Sequence, residues 1–475
     1  MVDYIKRAAA VVPAERQLAW NKHEFYGFIH FGVNTFTDRE WGMGTEDPAI
    51  FNPLELDTDQ WVRAIKSAGM VGVIITAKHH DGFCLWPSEY TEHCVKNSPV
   101  KTDIVASLAE SCRKEGLKFG VYLSPWDRHE ATYGDSPAYN KYYKQQLVEL
   151  LTNYGELFEI WFDGACGEGP NGKRQVYDWA GIIEICRQYQ PNACLFNTPD
   201  IRWCGNEAGD CREDEWSVVP KGTGSDDVFF DIEGQQTEED SSGEFRARKL
   251  LVDQKDLGSR EIIKDGRPLI WSPCETNTSI RPGWFYHSNE DDKVRSLDEL
   301  MDIYYASVGG NSSFLLNIPP NKDGLLHEND VKRLAEIGER LNNDFYHDLT
   351  DSASISFNGG DVVGFEVANI LKKDDSSWTS ENLNAGEYIE IDFANEVELD
   401  KIVLQEDLRH GQRIEKYTVE AQKGDAWEHV FEGSTIGNKR IKRFDKTICT
   451  SKLRITITQC RTTPYIKSIR VYRSK

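Results

Sequence analysis

The chain has 475 residues and a net charge of −23, with a pI near 5.0. No basic stretch is interleaved with aromatics, which argues against nucleic acid as a partner, and no apolar run is long enough to cross a bilayer, which argues against a membrane. Its 11 cysteines, odd in number and without CxxC spacing, read as free thiols in a reducing compartment. A cytoplasmic protein is therefore expected, with a periplasmic or secreted one as the alternative if an export signal was removed, since Met1 to Pro13 lacks a signal-peptide core.

In chain order, the first apolar run is Tyr26 to Phe31, ending in His30-Phe31-Gly32. A helix is expected next, because Trp61, Ile65 and Ala68 share one face behind Asp57 and Thr58, either of which can cap it. The β-branched run Gly72 to Ile75 reads as a strand buried on both faces. It leads into Thr76-Ala77-Lys78-His79-His80-Asp81-Gly82-Phe83, a cluster of polar and turn-forming residues at the strand's C-terminal end. Ile104, Val105, Leu108 and Cys112 mark a second helix. Phe119 to Leu123 is a strand ending in Ser124-Pro125-Trp126-Asp127-Arg128-His129, and Glu159 to Phe162 is one ending in Asp163-Gly164. After a third helix through Ile182, Ile183 and Cys186, Cys194 to Phe196 ends in Asn197-Thr198-Pro199-Asp200. Leu269 to Trp271 then runs into Ser272-Pro273-Cys274-Glu275, and Ser313 to Ile318 is the last such run.

Strand and helix alternate about seven or eight times by this pattern, with polar residues at each strand's C-terminal end. That is the requirement of an α/β chain closed into a (β/α)8-like barrel, whose loops converge on one face. An open doubly wound sheet is the competitor; it is disfavoured because no Gly-rich phosphate turn follows the first strand. The helical stretch Val331 to Leu341 ends this texture, and residues 1–345 are assigned to the barrel. From Ser352 onward short alternating segments take over: Ile389, Ile391 and Phe393, then Tyr417, Val419 and Ala421, then Leu453, Ile455 and Ile457. Residues 346–475 therefore read as an antiparallel β-sandwich.

The expected barrel face is rich in aromatics (Trp41, Trp86, Trp126, Trp161, Trp203, Trp271, Trp284) and carboxylates (Glu40, Asp163, Glu207, Glu213, Asp214, Glu215). Flat rings stack on sugar C–H faces, and two carboxylates flanking a glycosidic bond make a hydrolase. A metal-dependent hydrolase using His30, His79, His80 and Asp163 is the rival. Adjacent histidines diverge in direction, and there is no HxH or HExxH, so no active-site metal is expected.

These segments resemble the α-L-fucosidases of glycoside hydrolase family 29 along essentially the whole chain. The matching stretches are Gly27 to Gly32, Glu40-Trp41, Thr76 to Phe83, Gly120-Val121-Tyr122, Trp161 to Gly164 and Gly283-Trp284-Phe285-Tyr286. The C-terminal region, through Trp378 to Glu381, Gly411 to Ile414 and Ile436 to Arg440, looks like the discoidin-type (F5/8 type C) sandwich, a fold that includes many carbohydrate-binding modules. Its usual Asp-Gly pair after Asn-Ile-Leu is replaced by Lys372-Lys373, so a structural calcium stays open. The resemblance implies Asp163 as nucleophile. The segment Arg202-Trp203-Cys204-Gly205-Asn206-Glu207-Ala208-Gly209 resembles the acid/base motif of the branch selective for α-1,3/4-linked fucose. It implies Glu207 as acid/base, with Glu215 the alternative. The implied fucose pocket is His30, Glu40, Trp41, His79, His80 and Trp161, with Trp126 and Trp284 stacking on the sugar. Arg, Glu and Trp residues between Arg202 and Pro220 are expected to form a second subsite for a branching galactose. The implied activity is a retaining exo-α-L-fucosidase acting on fucosylated oligosaccharides or glycoconjugates, with no cofactor. A broad-specificity fucosidase and a non-catalytic fucose-binding protein are the alternatives.

Overall fold

The computed structural model describes residues 3–221, 256–381 and 386–475. Most of the local acidic excess between Glu207 and Glu261 lies outside these residues. Eight parallel strands curl into one sheet: β1 (Phe25–Ile29), β2 (Gly72–Lys78), β3 (Lys118–Leu123), β4 (Glu159–Trp161), β5 (Cys194–Leu195), β6 (Arg202–Trp203), β7 (Cys274–Ser279) and β8 (Ser312–Asn317). Neighbours run β5-β4-β3-β2-β1-β8-β7-β6, and the two ends meet through a parallel bridge from Phe196 to Ile201. This is the strand order of a (β/α)8 barrel. Strands β1 and β2 are buried along their whole length, because side chains face either the barrel interior or the surrounding helices; hence their continuous apolar sequence.

The helices form where the periodicity puts them. Helix α1 (Thr58–Ser67) starts at Asp57, whose side chain accepts from Gln60 N, and buries Trp61, Val62 and Ile65. Helix α2 (Ile104–Glu115) starts at Asp103 and ends at Gly116, whose φ of 73° suits a residue without a Cβ. Helix α3 (Ser136–Asn153), α4 (Trp179–Tyr189), α5 (Leu297–Ser307) and α6 (Glu328–Asp344) complete the outer layer. Burying each large side chain of α1 contributes roughly 1.5–3 kcal/mol.

Leu269–Trp271 is not a barrel strand. It pairs antiparallel with Val218–Pro220 in a separate two-stranded ribbon, while β6 and β7 occupy the barrel positions. Apolarity misled here because β7, Cys-Glu-Thr-Asn-Thr-Ser, is fully buried yet almost wholly polar. Its side chains are satisfied inside the barrel: Glu275 accepts from Trp161 Nε1 at 3.0 Å, Thr276 bonds Ser312 Oγ at 2.9 Å, and Asn277 accepts from Trp203 Nε1 at 2.9 Å.

The C-terminal sheet contains β9 (His347–Asp348), β10 (Ser354–Phe357), β11 (Ile389–Glu406), β12 (Ile414–Lys423), β13 (Ala426–Gly433), β14 (Arg440–Cys460) and β15 (Ile466–Arg473). All pairings are antiparallel. The long strands β11 and β14 change register between Asp392 and Val397 and again between Leu399 and Lys401, which lets one pair of strands bend around a common core. Ile389, Ile391, Phe393, Tyr417, Val419, Leu453, Ile455 and Ile457 all face that core, as their alternation requires.

Candidate active site

The segment after β2 shows how the polar end of a strand is made rigid. Lys78 is fully buried, its ammonium 2.8 Å from Asp127 and 2.9 Å from Gln146 Oε1, so it ties the end of β2 to the loop after β3. Asp81 accepts from Phe83 N at 2.8 Å, and Gly82 has φ 79°, where an added Cβ would run into the Asp127 carboxylate. These residues set the backbone that presents His79 and His80.

Asp163 lies two residues past β4. Its Oδ2 accepts from the Tyr122 hydroxyl at 2.9 Å and its Oδ1 from Ala165 N at 2.8 Å. His80 Nε2 stands 3.8 Å from Oδ2. Two donors thus fix the carboxylate's plane. Tyr122 remains a donor because burial and the Asp163 charge push its hydroxyl well above the usual phenol range. Glu207, half-buried, accepts from Trp284 Nε1 at 3.2 Å. Its carboxyl is pushed up to about 8, first by burial and then by the Asp163 charge. Its backbone is pinned by Thr278 Oγ1, which donates to the Glu207 carbonyl at 2.8 Å. Two neighbouring carboxyls in contrasting environments, one donor-rich and one poorly hydrated, are the pattern of an acid/nucleophile pair.

The three histidines are neutral, and their tautomers follow from their partners. The Ser124 hydroxyl donates to the Trp126 carbonyl at 2.7 Å, so it accepts from His80 Nδ1 at 2.7 Å. Asn317 donates to Ser279 Oγ and to the Trp284 carbonyl, so its Oδ1 accepts from His30 Nδ1 at 2.8 Å. Asn34 Nδ2 donates to the Glu40 carbonyl and reaches His79 Nδ1 at 3.5 Å, which puts the His79 proton on Nε2. Burial lowers His30 to about 3 and His80 to about 4. The set offers two Nε2 acceptors and one Nε2–H donor, complementary to sugar hydroxyls that both give and take hydrogen bonds.

Aromatic rings surround this polar cluster. Trp41 meets His80 and Trp126 edge-on, with centroids 5.7 and 5.4 Å away. Trp284 lies 5.1 Å from His30. Trp161 is buried beneath Tyr122, 5.4 Å from its ring. Glu40 braces the loop opposite: its carboxylate accepts from Trp284 N at 2.8 Å, Phe285 N at 3.1 Å and His287 Nε2 at 2.8 Å, holding the segment that carries Trp284. Tyr122, Ser124, Asn34 and Asn317 were not assigned from sequence; Tyr122 is the penultimate residue of β3 and Asn317 the last of β8, both inside the runs read as strands, so a search for polar residues after each run passes over them.

Other expected members go elsewhere. Trp86 sits in the hydrophobic core and bonds Glu149, and Trp271 belongs to the outer ribbon. Glu215 is buried between Arg202 and Arg212, the second at 3.1 Å, and both cations hold its carboxyl below the usual range despite burial. Such a group is a permanent counterion, not a proton donor. Trp216 packs under Arg461 of the sandwich, Gln412 accepts from Ser217 N at 2.8 Å, and Asp214 pairs with Arg440 at 3.1 Å. Trp216 and Asp214 therefore help fasten barrel to sandwich, while Arg202 and Glu215 form a buried ion pair inside the barrel domain; Glu213 is exposed.

A curled parallel sheet with neutral histidines, tryptophans and two electrostatically separated carboxyls at one end defines a glycoside hydrolase. Comparison with known proteins agrees. The Alpha-L-fucosidase family profile matches residues 12–344 and the F5/8 type C domain profile matches residues 350–470. Alpha-L-fucosidase 1 of Arabidopsis thaliana is 39% identical over 477 aligned residues, covering 98% of this chain and 88% of the plant protein. A glycoside hydrolase 29 family member from an unknown rumen bacterium superimposes with a TM-score of 0.77 at 39% identity, covering 98% of this chain and 78% of that one. A Ruminococcus gnavus GH29 fucosidase, solved in complex with fucose, superimposes with a TM-score of 0.82 at 31% identity, covering 98% and 95%. The chain belongs to the α-L-fucosidase family, glycoside hydrolase family 29.

Proposed function

We propose that this α-L-fucosidase is a retaining exo-enzyme that releases α-1,3- or α-1,4-linked fucose from branched, Lewis-type glycans. Asp163 Oδ attacks C1 of fucose while the bond from C1 to the leaving oxygen breaks, and Glu207 gives its proton to that oxygen. Water then attacks C1 of the fucosyl-enzyme, Glu207 takes the water's proton, and the Asp163 carboxylate departs. The carrying observation is the contrast between the two carboxyls: Asp163 held by Tyr122 O–H and Ala165 N–H, and Glu207 raised to about 8. Once Asp163 is esterified its charge is gone, which lowers Glu207 and makes it the base the second step needs.

Linkage choice rests on Glu207 lying in the segment that resembles the α-1,3/4-selective branch. With Arg202 and Glu215 committed to a buried ion pair, recognition of a branching galactose falls to other groups, among which the exposed Glu213 is available. A reducing compartment is part of the proposal, supported by an odd number of cysteines, 11, without CxxC spacing.

The test compares Lewis a and Lewis x trisaccharides with 2′-fucosyllactose and fucosyl-N-acetylglucosamine, with NMR recording the first-formed anomer. Fast release from the trisaccharides with α-fucose appearing first is expected. Equal rates on the α-1,2 compound would remove the linkage assignment, and β-fucose appearing first would remove the retaining mechanism.

A further inference from the structure

We infer that Glu159 and Glu275, two carboxyls that meet inside the barrel, form one hydrogen-bonded acid pair that anchors Trp161 and through it aligns the Tyr122–Asp163 pair for the covalent step. Both are positioning residues, and the inference rests on Asp163 being the nucleophile.

Glu159 opens β4 and Glu275 is the second residue of β7; both are wholly buried. Glu275 Oε1 accepts from Trp161 Nε1 at 3.0 Å, and its Oε2 accepts from the Tyr26 hydroxyl. Glu159 Oε2 accepts from Trp20 Nε1 at 2.7 Å. Glu159 Oε1 has no donor, yet the two carboxyls are in hydrogen-bonding contact. Two carboxylates have no proton to share, so one of the pair must be the acid. Glu275 already accepts from two donors and keeps the charge; Glu159 carries the proton on Oε1 and donates it to Glu275. Burial and the charge of Glu275 both push Glu159 well above the carboxylate range, in agreement with that assignment.

The pair matters because of what Trp161 touches. Its indole lies flat on Phe196, centroids 4.0 Å apart and planes at 7°, and stacks on Tyr122 at 5.4 Å and 27°. Stacking tolerates rotation of a ring within its own plane. The Nε1–H bond to Glu275 removes that freedom. Tyr122, held against the fixed indole, aims its hydroxyl at Asp163, two residues beyond Trp161. The Glu159–Glu275 pair thus sets the nucleophile from inside the barrel, without reaching the sugar.

Glu275→Gln keeps size but leaves a single oxygen acceptor for which the Trp161 N–H, the Tyr26 hydroxyl and the Glu159 proton must compete. On an aryl α-L-fucoside, kcat per titrated active site should fall about 10- to 100-fold, the scale of a misplaced reacting group, with KM changed by less than about threefold. Glu159→Gln retains a donor for Glu275 and an acceptor for Trp20, and should restore most of the kcat that Glu159→Leu loses. If Glu275→Gln does not fold, Trp161→Phe keeps an aromatic ring between Phe196 and Tyr122 but removes the N–H that bonds Glu275, and should also lower kcat. Unchanged kcat per site in Glu275→Gln or, where that variant does not fold, in Trp161→Phe would overturn the inference, as would equal losses in Glu159→Gln and Glu159→Leu. Asp163→Gly assayed with azide separates the two readings. Recovery of fucosyl azide leaves the nucleophile standing whatever the Glu275 result, and undiminished turnover of Asp163→Gly would remove the nucleophile itself.

Discussion

Removing the charge of Asp163 should lower the titration of Glu207, and the size of the fall can be worked out. Glu207 stands at about 8 against an ordinary 4.5, with burial the largest cause and Asp163 the second. Two unit charges at the roughly 5.5 Å separation of a retaining pair interact by about 3 kcal/mol at an effective dielectric of 20, which is about two pKa units. Asp163→Asn keeps the shape of the site and leaves burial in place, so Glu207 should move from about 8 to roughly 6. The variant is expected to turn over several orders of magnitude more slowly, so the titration is read directly, by carbon-13 NMR of labelled glutamate carboxyls with Glu207→Gln as the assignment control. In the native enzyme the same group appears in kinetics. A general acid works only while protonated, so kcat/KM should be lost as pH rises through about 8. A Glu207 midpoint in Asp163→Asn at or above its native value would refute the reasoning, because the two carboxyls would then not share a site.

Glu215→Gln should cost about 3–5 kcal/mol of stability, because Arg202 and Arg212 would be left as buried charges without a carboxylate; melting and kcat per folded site are the measurements, and lost turnover at unchanged Tm would return Glu215 to the acid role. Lys78→Met should destabilise by a similar amount, about 3–5 kcal/mol, since it strands the buried Asp127 carboxylate; an unaltered urea midpoint contradicts this. The buried histidines predict a stability slope in acid. Their folded values, about 3 for His30 and about 4 for His80, lie below the ordinary 6.5. The unfolded chain therefore binds more protons below 6.5, and the stability these groups contribute is present above 6.5 and lost as pH falls towards 4 and 3. His30→Gln should flatten the slope of the urea midpoint between those limits, and an unchanged slope would show that His30 does not titrate differently on folding.

Local sequence was enough wherever one physical rule dominated. Apolar runs buried on both faces located β1 to β3, helical periodicity located α1, α2 and α4, and alternation located the sandwich core around Ile389, Tyr417 and Leu453. Polar residues at strand ends located His30, His79, His80 and Asp163, because a parallel barrel delivers all its C-terminal strand ends to one face whatever the loops do. Tertiary structure decided the rest. Strand β7 was hidden because its polar side chains are satisfied by partners that only the fold brings to them: Tyr26, Trp161, Trp203 and Ser312 on other strands, and the Glu207 carbonyl in a loop. Glu207 and Glu215 are eight positions apart in one acidic stretch and equally plausible by composition. One lies beside Trp284 and is raised; the other lies between two arginines and is lowered. A carboxyl's proton affinity is set by the charges and donors within a few ångströms of it, and those come from distant parts of the chain.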